Sequence, residues 1–467
     1  MIYFLKKIVK NHNFLSLAGN LSASVMNLIS FMILIRILNL GDYGRWVLFT
    51  TPASMIDLLR LGLTREATVR FMSSIEEKDK KYFIGSSWFV GILTIIAISI
   101  ILWIIVLLFP TGIKAYSYDI FFYYYPLFAL STLPWNYATT ILQAKLDFRN
   151  IFWIRFFNIG SFLVSIFVVY IIEGSKIVVI DILWVYLLTN VITSLFCIYK
   201  GWSGIKFIRY ISKVRVNEIL AYGKFSMLGH VASSMLKSAD SYILSFSVFC
   251  GPIGIALYAI PMKFFELLEI PLRSFVSTAF PKLSKASIEK DYKEFKKIFY
   301  SYTGSITVLF IIVAFFSILL NKYFILILGG SKFVSHLQGL SWVMIAFIIY
   351  GIMLPIDRFT GVALQSLNKP KKNFYKILVM VIANIIGDIL AVFYIPSLFP
   401  NIQVEYVLLF VAIASIIFTV IGLVVGFNFL KKEVDVNYKM IFKSGFYFYK
   451  SNSILLYNKI LAKSHKQ

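Results

Sequence analysis

The sequence predicts an all-α polytopic membrane protein, with about twelve transmembrane helices arranged as two homologous six-helix lobes. The chain of 467 residues is 59% hydrophobic and has a mean hydropathy of +0.81, well above the apolar share of a soluble domain. Apolar runs long enough to cross a hydrocarbon core of about 30 Å recur along its whole length. Short motifs of the first half also return in the second half, which indicates a duplicated lobe.

The predicted spans are apolar runs separated by charged or turn-forming segments. In the first lobe they cover residues 14–38, 46–68, 83–109, 120–142, 151–172 and 178–199. In the second lobe they cover residues 225–249, 253–280, 298–320, 340–363, 377–395 and 404–430. The seventh of these contains several serines and two charged residues, so it is placed by its position in the repeat and by its small side chains.

The trace of the duplication is clearest in one gap-free match. Residues 57–63, Asp-Leu-Leu-Arg-Leu-Gly-Leu, align with residues 266–272, Glu-Leu-Leu-Glu-Ile-Pro-Leu, and the charge at the fourth position changes sign. The repeat and the charge pattern together predict four regions. These are an N-terminal six-helix lobe over residues 1–200, a cytoplasmic amphipathic connector over 201–224, a C-terminal six-helix lobe over 225–430 and a basic, aromatic cytoplasmic tail over 431–467.

The distribution of charge predicts the orientation in the membrane. The net charge of +24 does not indicate a nucleic-acid partner, because the Lys and Arg residues lie between apolar spans and form no single basic domain. With both termini in the cytoplasm, most of the 46 Lys and Arg residues fall in cytoplasmic segments and few fall in outward loops. The outward loops are short, so we expect no sizeable domain outside the membrane.

The sequence offers no catalytic motif and no metal-binding motif. Its two cysteines lie in or beside apolar spans, and its four histidines are scattered singly. It contains no phosphate-binding Gly-rich loop with Lys, no zinc-ligand spacing and no nucleophile elbow. We therefore predict a protein that is not an enzyme, with no catalytic residues, no metal site and no cofactor. A gradient of H⁺ or Na⁺, or the substrate's own disequilibrium, would have to drive any transport.

One predicted span carries four charges at the depth where lipid is expected. Residues 261–275 read Pro-Met-Lys-Phe-Phe-Glu-Leu-Leu-Glu-Ile-Pro-Leu-Arg-Ser-Phe inside the apolar run 253–280. Each such charge costs roughly 2.5 to 3.5 kcal/mol near the centre of a membrane helix, so we expect this helix to face an internal, water-filled space. The alternative is a set of self-neutralised ion pairs, spaced i,i+3 and i,i+4, that are buried between helices for packing.

Charged residues of other spans extend this candidate site. The basic residues that lie away from the span ends are the predicted substrate-binding residues: Arg60, Lys237, Lys263, Arg273 and Arg358. The acidic residues near them are predicted either to form charge pairs or to carry a coupling ion: Asp57, Asp240, Glu266, Glu269 and Asp357. Guanidinium groups bind phosphate and pyrophosphate with two parallel hydrogen bonds, so these residues favour a polyanionic substrate.

Several short motifs resemble those of the Wzx-type polysaccharide flippases. They are Leu-Gly-Asp-Tyr-Gly at 40–44, the motif at 57–63, Leu-Gln-Ala at 142–144 and the segment 254–258. These flippases form the polysaccharide transporter branch of a superfamily that also contains multidrug exporters of the MATE type and lipid II flippases. The resemblance implies a MATE-like fold of two six-helix lobes around a central cationic cavity that alternates between cytoplasm-facing and outward-facing states.

The implied substrate is an undecaprenyl-pyrophosphate-linked oligosaccharide, moved across the bacterial inner membrane for O-antigen, capsule or related polysaccharide assembly. Membrane lipids, a polysaccharide polymerase and a chain-length regulator are the implied partners. A cation-coupled multidrug exporter and a lipid II flippase of the same superfamily remain alternatives. The first span lacks a central acidic residue, which weakens the drug-exporter alternative, and the count of twelve spans weakens the lipid II alternative. A membrane polysaccharide polymerase is a further alternative, which the short outward loops argue against.

Overall fold

The computed structural model describes residues 12–72 and 76–464, and this part of the chain is helical with short connections and contains no β-strand. The helices of the first half are α1 (His12–Ile37), α2 (Leu40–Met72), α3 (Glu77–Leu108), α4 (Pro110–Ala115), α5 (Asp119–Ala144), α6 (Phe148–Glu173), α7 (Val179–Tyr199) and α8 (Lys213–Ser245). Those of the second half are α9 (Gly251–Ile288), α10 (Tyr292–Leu319), α11 (Asn321–Gly329), α12 (Leu337–Ser366), α13 (Pro370–Ile389), α14 (Ile395–Leu398), α15 (Val404–Val434) and α16 (Tyr438–Ser464).

Seven helices of the described residues are long and apolar enough to cross a membrane: α3, α6, α7, α10, α12, α13 with its continuation through α14, and α15. The other five predicted spans lie in α1, α2, α5, α8 and α9, each at least 26 residues long. Four of them carry more charged or polar residues, which lowers their hydropathy, and the described apolar stretch of α1, Ser22–Ile37, is shorter than the other candidate spans. The prediction of an all-helical, multi-pass membrane fold is confirmed.

The chain divides into two compact units, and the first runs from Met1 to Ala256. Within it α2 packs against α5 and α8, α1 packs against α6, and α5 packs against α7. Aromatic side chains fill the contact between α2, α5 and α7: Trp46 makes an edge contact with Tyr186, and Tyr186 stacks on Phe128 with 5.3 Å between ring centroids. Because α8 packs closely on α2, Gly223 meets the carbonyl of Leu63 where a Cβ would have no room.

The predicted connector between the lobes folds back onto α3. Its first part contains the 3₁₀ turn Ile205–Phe207, and its residues from Lys213 onward form the start of α8. The indole nitrogen of Trp88 donates to the carbonyl of Ser203 at 2.9 Å. Near the start of α8, Arg215 donates to the carboxylates of Glu218 and Asp79. These acceptors raise the pKa of the Arg215 guanidinium, which stabilises its charged form. The connector is thereby fixed to the end of α3 by polar contacts.

The second unit runs from Leu257 to Gln467 and has α12 and α15 at its centre. α12 packs against α10 and α15, and α13 packs against α15. Buried phenylalanines of α10 and α12 form part of one core, among them Phe295, Phe299 and Phe359. At the start of α13, Lys372 forms an ion pair of 2.5 Å with Glu433 at the end of α15. α12, α13 and α15 thus pack together around several of the charged residues described below.

Most of the predicted tail is the long helix α16, which packs along α10. The two helices approach most closely at two glycines, because a Cβ on Gly445 would lie 2.2 Å from the carbonyl oxygen of Gly304. Small residues at a helix crossing let the two backbones come into contact. The hydroxyl of Tyr449 also donates to the carbonyl of Ser305 at 3.2 Å. The cytoplasmic location of the tail stays a prediction.

Candidate functional site

A buried carboxylate on α9 holds two exposed arginines. Nη2 of Arg273 lies 2.6 Å from Oε2 of Glu269, and Nη2 of Arg358 on α12 lies 3.0 Å from Oε1 of the same residue. The Glu269 side chain is 6% exposed, whereas Arg273 is 67% exposed and Arg358 is 41% exposed. We call these three residues the two-arginine cluster.

The two-arginine cluster carries a net charge of +1, since one carboxylate faces two guanidinium groups that are always protonated. Each guanidinium has five N–H donors, and the contact with Glu269 engages one Nη2 of each. The carboxylate therefore fixes the position of both arginines while donors on their exposed sides remain able to bind an anion. Tethered arginines of this kind suit a ligand that accepts several hydrogen bonds at once, as phosphate groups do.

Aromatic stacking brings α9 and α12 together beside this cluster. Phe265 on α9 stacks on Tyr350 of α12 with ring centroids 4.4 Å apart. Phe347 of α12 also makes an edge contact with the ring of Phe265. The α12 segment from Tyr350 to Arg358 covers two helical turns, so this contact places Arg358 near the turn of α9 that contains Glu269. The packing, rather than the sequence spacing, determines which carboxylate Arg358 meets.

The remaining pair on α9 has the spacing that the sequence predicts. Nζ of Lys263 lies 2.6 Å from Oε2 of Glu266, one turn before Glu269, and the Glu266 side chain is exposed. The i,i+4 pair of Glu269 and Arg273 is also present. Both predicted pairings along α9 therefore exist, and the residues that they contain are exposed to different degrees. Their role in binding a substrate stays a prediction.

Asp357 pairs with a lysine that is not among the predicted site residues. Nζ of Lys376 on α13 lies 2.6 Å from Oδ1 of Asp357 and donates to its backbone carbonyl at 2.8 Å. Lys376 is only 2% exposed. Sequence reasoning missed it because the eleventh predicted span begins at residue 377, one position later. The apolar residues that follow Lys376 gave no sign that the helix would bury this side chain.

In the first unit, Arg60 joins α2 to α5 from a fully buried position. Its guanidinium donates to Oδ1 of Asp57 at 2.9 Å, to Oγ1 of Thr132 at 3.0 Å and to the carbonyl of Ala129 at 2.8 Å. The hydroxyl of Tyr125 donates to the same oxygen of Asp57 at 3.1 Å. Arg60 is 1% exposed, so its charge acts inside the contact between α2 and α5. The predicted i,i+3 pair is present, and the binding role of Arg60 stays a prediction.

The remaining predicted pair lies on α8. Asp240 is buried and belongs to the described part of this helix. The side chain of Lys237 lies outside the described residues, as does that of His230. Their predicted roles therefore stay predictions.

Two further polar contacts within the second unit were missed by sequence reasoning. The amide of Asn384 donates to Oδ2 of Asp388 at 2.9 Å, and both side chains on α13 are fully buried. Nδ1 of His336, just before α12, contacts the carboxylate of Glu405 at the start of α15. The first contact has i,i+4 spacing and was open to prediction, whereas the second joins segments distant in sequence. Among the described residues, no group of three or more His, Cys, Asp or Glu side chains is arranged to hold a metal ion.

Comparison with known proteins gives structural matches alone. No protein-family model matches the chain, and no curated protein sequence matches it. A multidrug resistance MATE family transporter of the MOP superfamily, in an inward-facing conformation, matches with a TM-score of 0.69 and 15% identity over 88% of this chain and 96% of that one. The lipid II flippase MurJ, in an inward closed conformation, matches with a TM-score of 0.69 and 16% identity over 96% of this chain and 99% of that one.

A third solved structure is also similar in fold. It is a MOP superfamily transporter from Pyrococcus furiosus, described as having a binding pocket of reverse polarity that suggests a different function. It matches with a TM-score of 0.53 and 15% identity over 91% of this chain and 94% of that one. The chain therefore has the fold shared by MATE transporters and MurJ, which confirms the MATE-like architecture implied by the resemblance. The finer assignment to the Wzx type stays a prediction.

Proposed function

We propose that this protein is a flippase that translocates an undecaprenyl-pyrophosphate-linked oligosaccharide across the bacterial inner membrane. The observation that carries the proposal is the two-arginine cluster, in which one buried carboxylate presents two exposed guanidinium groups on membrane helices. The product would serve O-antigen, capsule or related polysaccharide assembly. A polysaccharide polymerase and a chain-length regulator would act on the translocated unit.

The cost of charge in a membrane supports a binding role for this cluster. An arginine near the centre of a membrane helix opposes insertion by roughly 2.5 to 3.5 kcal/mol. A purely structural ion pair would need one arginine for Glu269, and the second adds cost without neutralising further charge. An anionic ligand would offset this cost, and a pyrophosphate accepts parallel hydrogen bonds from two guanidinium groups.

The fold supports a transport mechanism by alternating access. Solved structures with this fold include transporters and a lipid II flippase, captured in inward-facing, inward closed and outward-facing conformations. In this proposal the cluster receives the pyrophosphate from the cytoplasmic leaflet while the polyprenyl chain stays in lipid. A change of conformation then exposes the head on the other side, and weaker binding there releases it.

Two alternatives within the same fold differ in substrate charge. A multidrug exporter for organic cations is disfavoured by the net positive charge of the two-arginine cluster, since like charges repel. A lipid II flippase would face the same pyrophosphate chemistry, and the lipid II flippase MurJ shares the fold. Lipid II and the proposed undecaprenyl-pyrophosphate-linked oligosaccharide differ in their sugars. Analysis of the glycolipid that accumulates in a deletion strain therefore distinguishes the two functions.

For coupling, we propose that a proton or a sodium ion binds at Asp388 and Asn384. The carboxylate and the amide carry oxygen ligands, lie one turn apart on α13 and are both fully buried. Ionisable residues buried within membrane helices commonly mark the path of a proton or an ion, and Asp388 is such a residue.

The proposed function is tested in a strain that lacks the gene. The deletion should cause completed lipid-linked oligosaccharides to accumulate on the cytoplasmic leaflet, and the wild-type gene should relieve this accumulation. The double variant Arg273→Ala/Arg358→Ala, expressed at the same level, should leave the accumulation in place. A matched control is Lys297→Ala, which removes an exposed, paired cation of the same unit. Full relief by the double variant, or accumulation of exported but unpolymerised units, would contradict the proposal.

A further inference from the structure

An exposed polar stripe continues from the two-arginine cluster along α9. Positions 273, 277, 281 and 285 and positions 274, 278 and 282 lie on this stripe, and its polar members are Arg273, Ser274, Ser277, Thr278, Lys282 and Lys285. All six side chains are exposed. The opposite face of the helix consists of buried apolar residues, namely Leu272, Ala279, Leu283 and Ala286. We call this surface the α9 polar stripe.

We infer that the α9 polar stripe binds the sugar part of the substrate, with its three hydroxyl residues acting as acceptors for carbohydrate hydroxyl groups. The inference rests on the proposed function, because it takes the pyrophosphate to bind at Arg273 and Arg358. From Arg273 to Lys285 the stripe extends for about 18 Å at 1.5 Å per residue. That length accommodates several sugar units laid along the helix from the pyrophosphate toward the predicted cytoplasmic end.

The hydrogen bonds of the hydroxyl groups leave them as acceptors. Ser277 Oγ donates to the carbonyl of Ser274 at 2.8 Å, and Thr278 Oγ1 donates to the carbonyl of Phe275 at 3.0 Å. A hydroxyl has one donor hydrogen and two acceptor lone pairs. When the hydrogen is engaged with the helix backbone, the lone pairs remain for a donor from outside. Sugars carry many hydroxyl donors, so the two groups are chemically matched.

The flanking charges distinguish this stripe from an ordinary lipid-facing surface. Ser and Thr in membrane helices often donate to their own backbone, and such residues alone would need no ligand. The exposed face of α3, which has the composition expected toward lipid, carries Leu93, Ile96 and Trp103. The α9 polar stripe carries Arg273 inside the predicted span 253–280, and Lys282 and Lys285 follow the predicted end of that span. An exposed arginine in lipid would be costly, so this face is suited to water and to a polar ligand.

Lys282 marks the predicted cytoplasmic end of the stripe. Its ammonium group donates to the hydroxyl of Tyr302 on α10 at 2.7 Å and lies 5.1 Å from the centroid of that ring. This contact holds one cation at the end of the hydroxyl row, whereas Lys285, one turn further on, lies 3.8 Å from the carboxylate of Glu289. The arrangement is suited to an incoming anionic glycolipid whose head enters from the cytoplasm.

Binding of two ligands to the purified full-length protein tests the inference. One ligand is undecaprenyl pyrophosphate without sugar, and the other is the lipid-linked oligosaccharide extracted from the deletion strain. Wild type should bind the glycolipid more tightly than the bare lipid. Ser277→Ala/Thr278→Val should weaken glycolipid binding about tenfold, the effect of losing two neutral hydrogen bonds, and should leave bare-lipid binding unchanged.

Two further variants serve as controls. Thr94→Val removes a threonine hydroxyl of α3 that donates to its own backbone at Val90, and it should change neither affinity. Ser277→Thr/Thr278→Ser exchanges the two residues, keeps both hydroxyls and should keep the preference for the glycolipid. If Ser277→Ala/Thr278→Val lowers the affinity for both ligands equally, or keeps the wild-type preference for the glycolipid, the inference is overturned. Either result leaves the proposed function intact. If wild type binds neither ligand, the proposed function itself is wrong.

Discussion

Nη2 of Arg358 on α12 lies 3.0 Å from Oε1 of Glu269 on α9, while Oε2 of the same carboxylate accepts Arg273 at 2.6 Å. One buried acid thus orients two cations from different helices. Arg60 occupies the position of α2 that aligns with Glu269 in the internal repeat, and it joins α2 to α5 through Asp57, Thr132 and a backbone carbonyl. The two aligned positions therefore hold buried charges of opposite sign, a cation in the first unit and an anion in the second. Each of these two side chains links two helices.

The geometry of the two arginines should matter beyond their charge. Arg273→Lys/Arg358→Lys keeps both positive charges but removes the planar, bidentate donors, so we expect the affinity for undecaprenyl pyrophosphate to fall about tenfold. Isothermal titration with the purified protein at fixed salt measures this change. Unchanged affinity in the lysine variant would mean that the cluster acts through charge alone.

Arg60 should contribute to the stability of the folded protein, in addition to any role in binding. Arg60→Ala leaves Asp57 without its buried guanidinium partner and removes the bond to the carbonyl of Ala129. We expect a loss of roughly 2 to 4 kcal/mol in the free energy of unfolding. A thermal unfolding scan of the detergent-solubilised protein should report a lower Tm for Arg60→Ala. The same scan should report a wild-type Tm for Arg273→Ala, whose side chain is mostly exposed.

The buried pair of Asp357 and Lys376 should behave as a unit. Lys376→Met leaves a carboxylate unpaired near the centre of the second unit, which should cost about 3 to 5 kcal/mol and reduce the amount of folded protein. Adding Asp357→Asn removes the orphaned charge and should restore most of the yield. A double-mutant cycle measured by fluorescence size-exclusion chromatography checks this coupling. Additive losses in the double variant would show that the two residues act independently.

The glycine contact should determine the position of α16. Gly445→Leu puts a large side chain where a Cβ alone would meet the Gly304 carbonyl at 2.2 Å, so α16 must move away from α10. We expect a loss of about 1 to 3 kcal/mol in stability and faster proteolysis after residue 434. Gly112→Leu is the matched control, because a Cβ at Gly112 meets no atom within 4 Å. Equal protease resistance of the two variants would contradict this account of the crossing.

Much of the fold was predictable because each membrane helix carries its own signal. Apolar length alone places α3 and α15, and the i,i+3 and i,i+4 spacings on α9 predict the pairs of Lys263 with Glu266 and of Glu269 with Arg273. These contacts form within one helix, so their geometry follows from the helical period. The same period predicts the pair of Asp57 and Arg60.

The contacts between helices were not predictable in the same way. Arg358 reaches Glu269, and Lys376 reaches Asp357, only because α9, α12 and α13 pack in a particular register. A single sequence gives the composition of each helix but does not give that register. The packing of α16 on α10 depends likewise on two glycines, Gly304 and Gly445, that are far apart in the chain.

Coupling should depend on Asp388. Asp388→Asn keeps the shape of the side chain but removes its ability to carry a proton or to balance a sodium ion. We expect this variant to bind the glycolipid with wild-type affinity and to lose the acceleration of transport by an imposed Na⁺ or pH gradient. Transport into proteoliposomes with and without each gradient measures the effect. If the gradients accelerate transport by Asp388→Asn as much as by wild type, the coupling ion binds at another residue.

Translocation by the purified protein tests the central claim most directly. Liposomes containing the extracted pyrophosphate-linked oligosaccharide are treated with a membrane-impermeant reagent that oxidises sugar diols, and the oxidised fraction is measured over time. With wild-type protein the reagent should reach the glycolipid of both leaflets, whereas with Arg273→Ala/Arg358→Ala it should reach only the outer half. Two results would contradict the proposal that this protein is a flippase with an arginine headgroup site. In the first, wild type exposes no more glycolipid than protein-free liposomes; in the second, the double variant exposes as much as wild type.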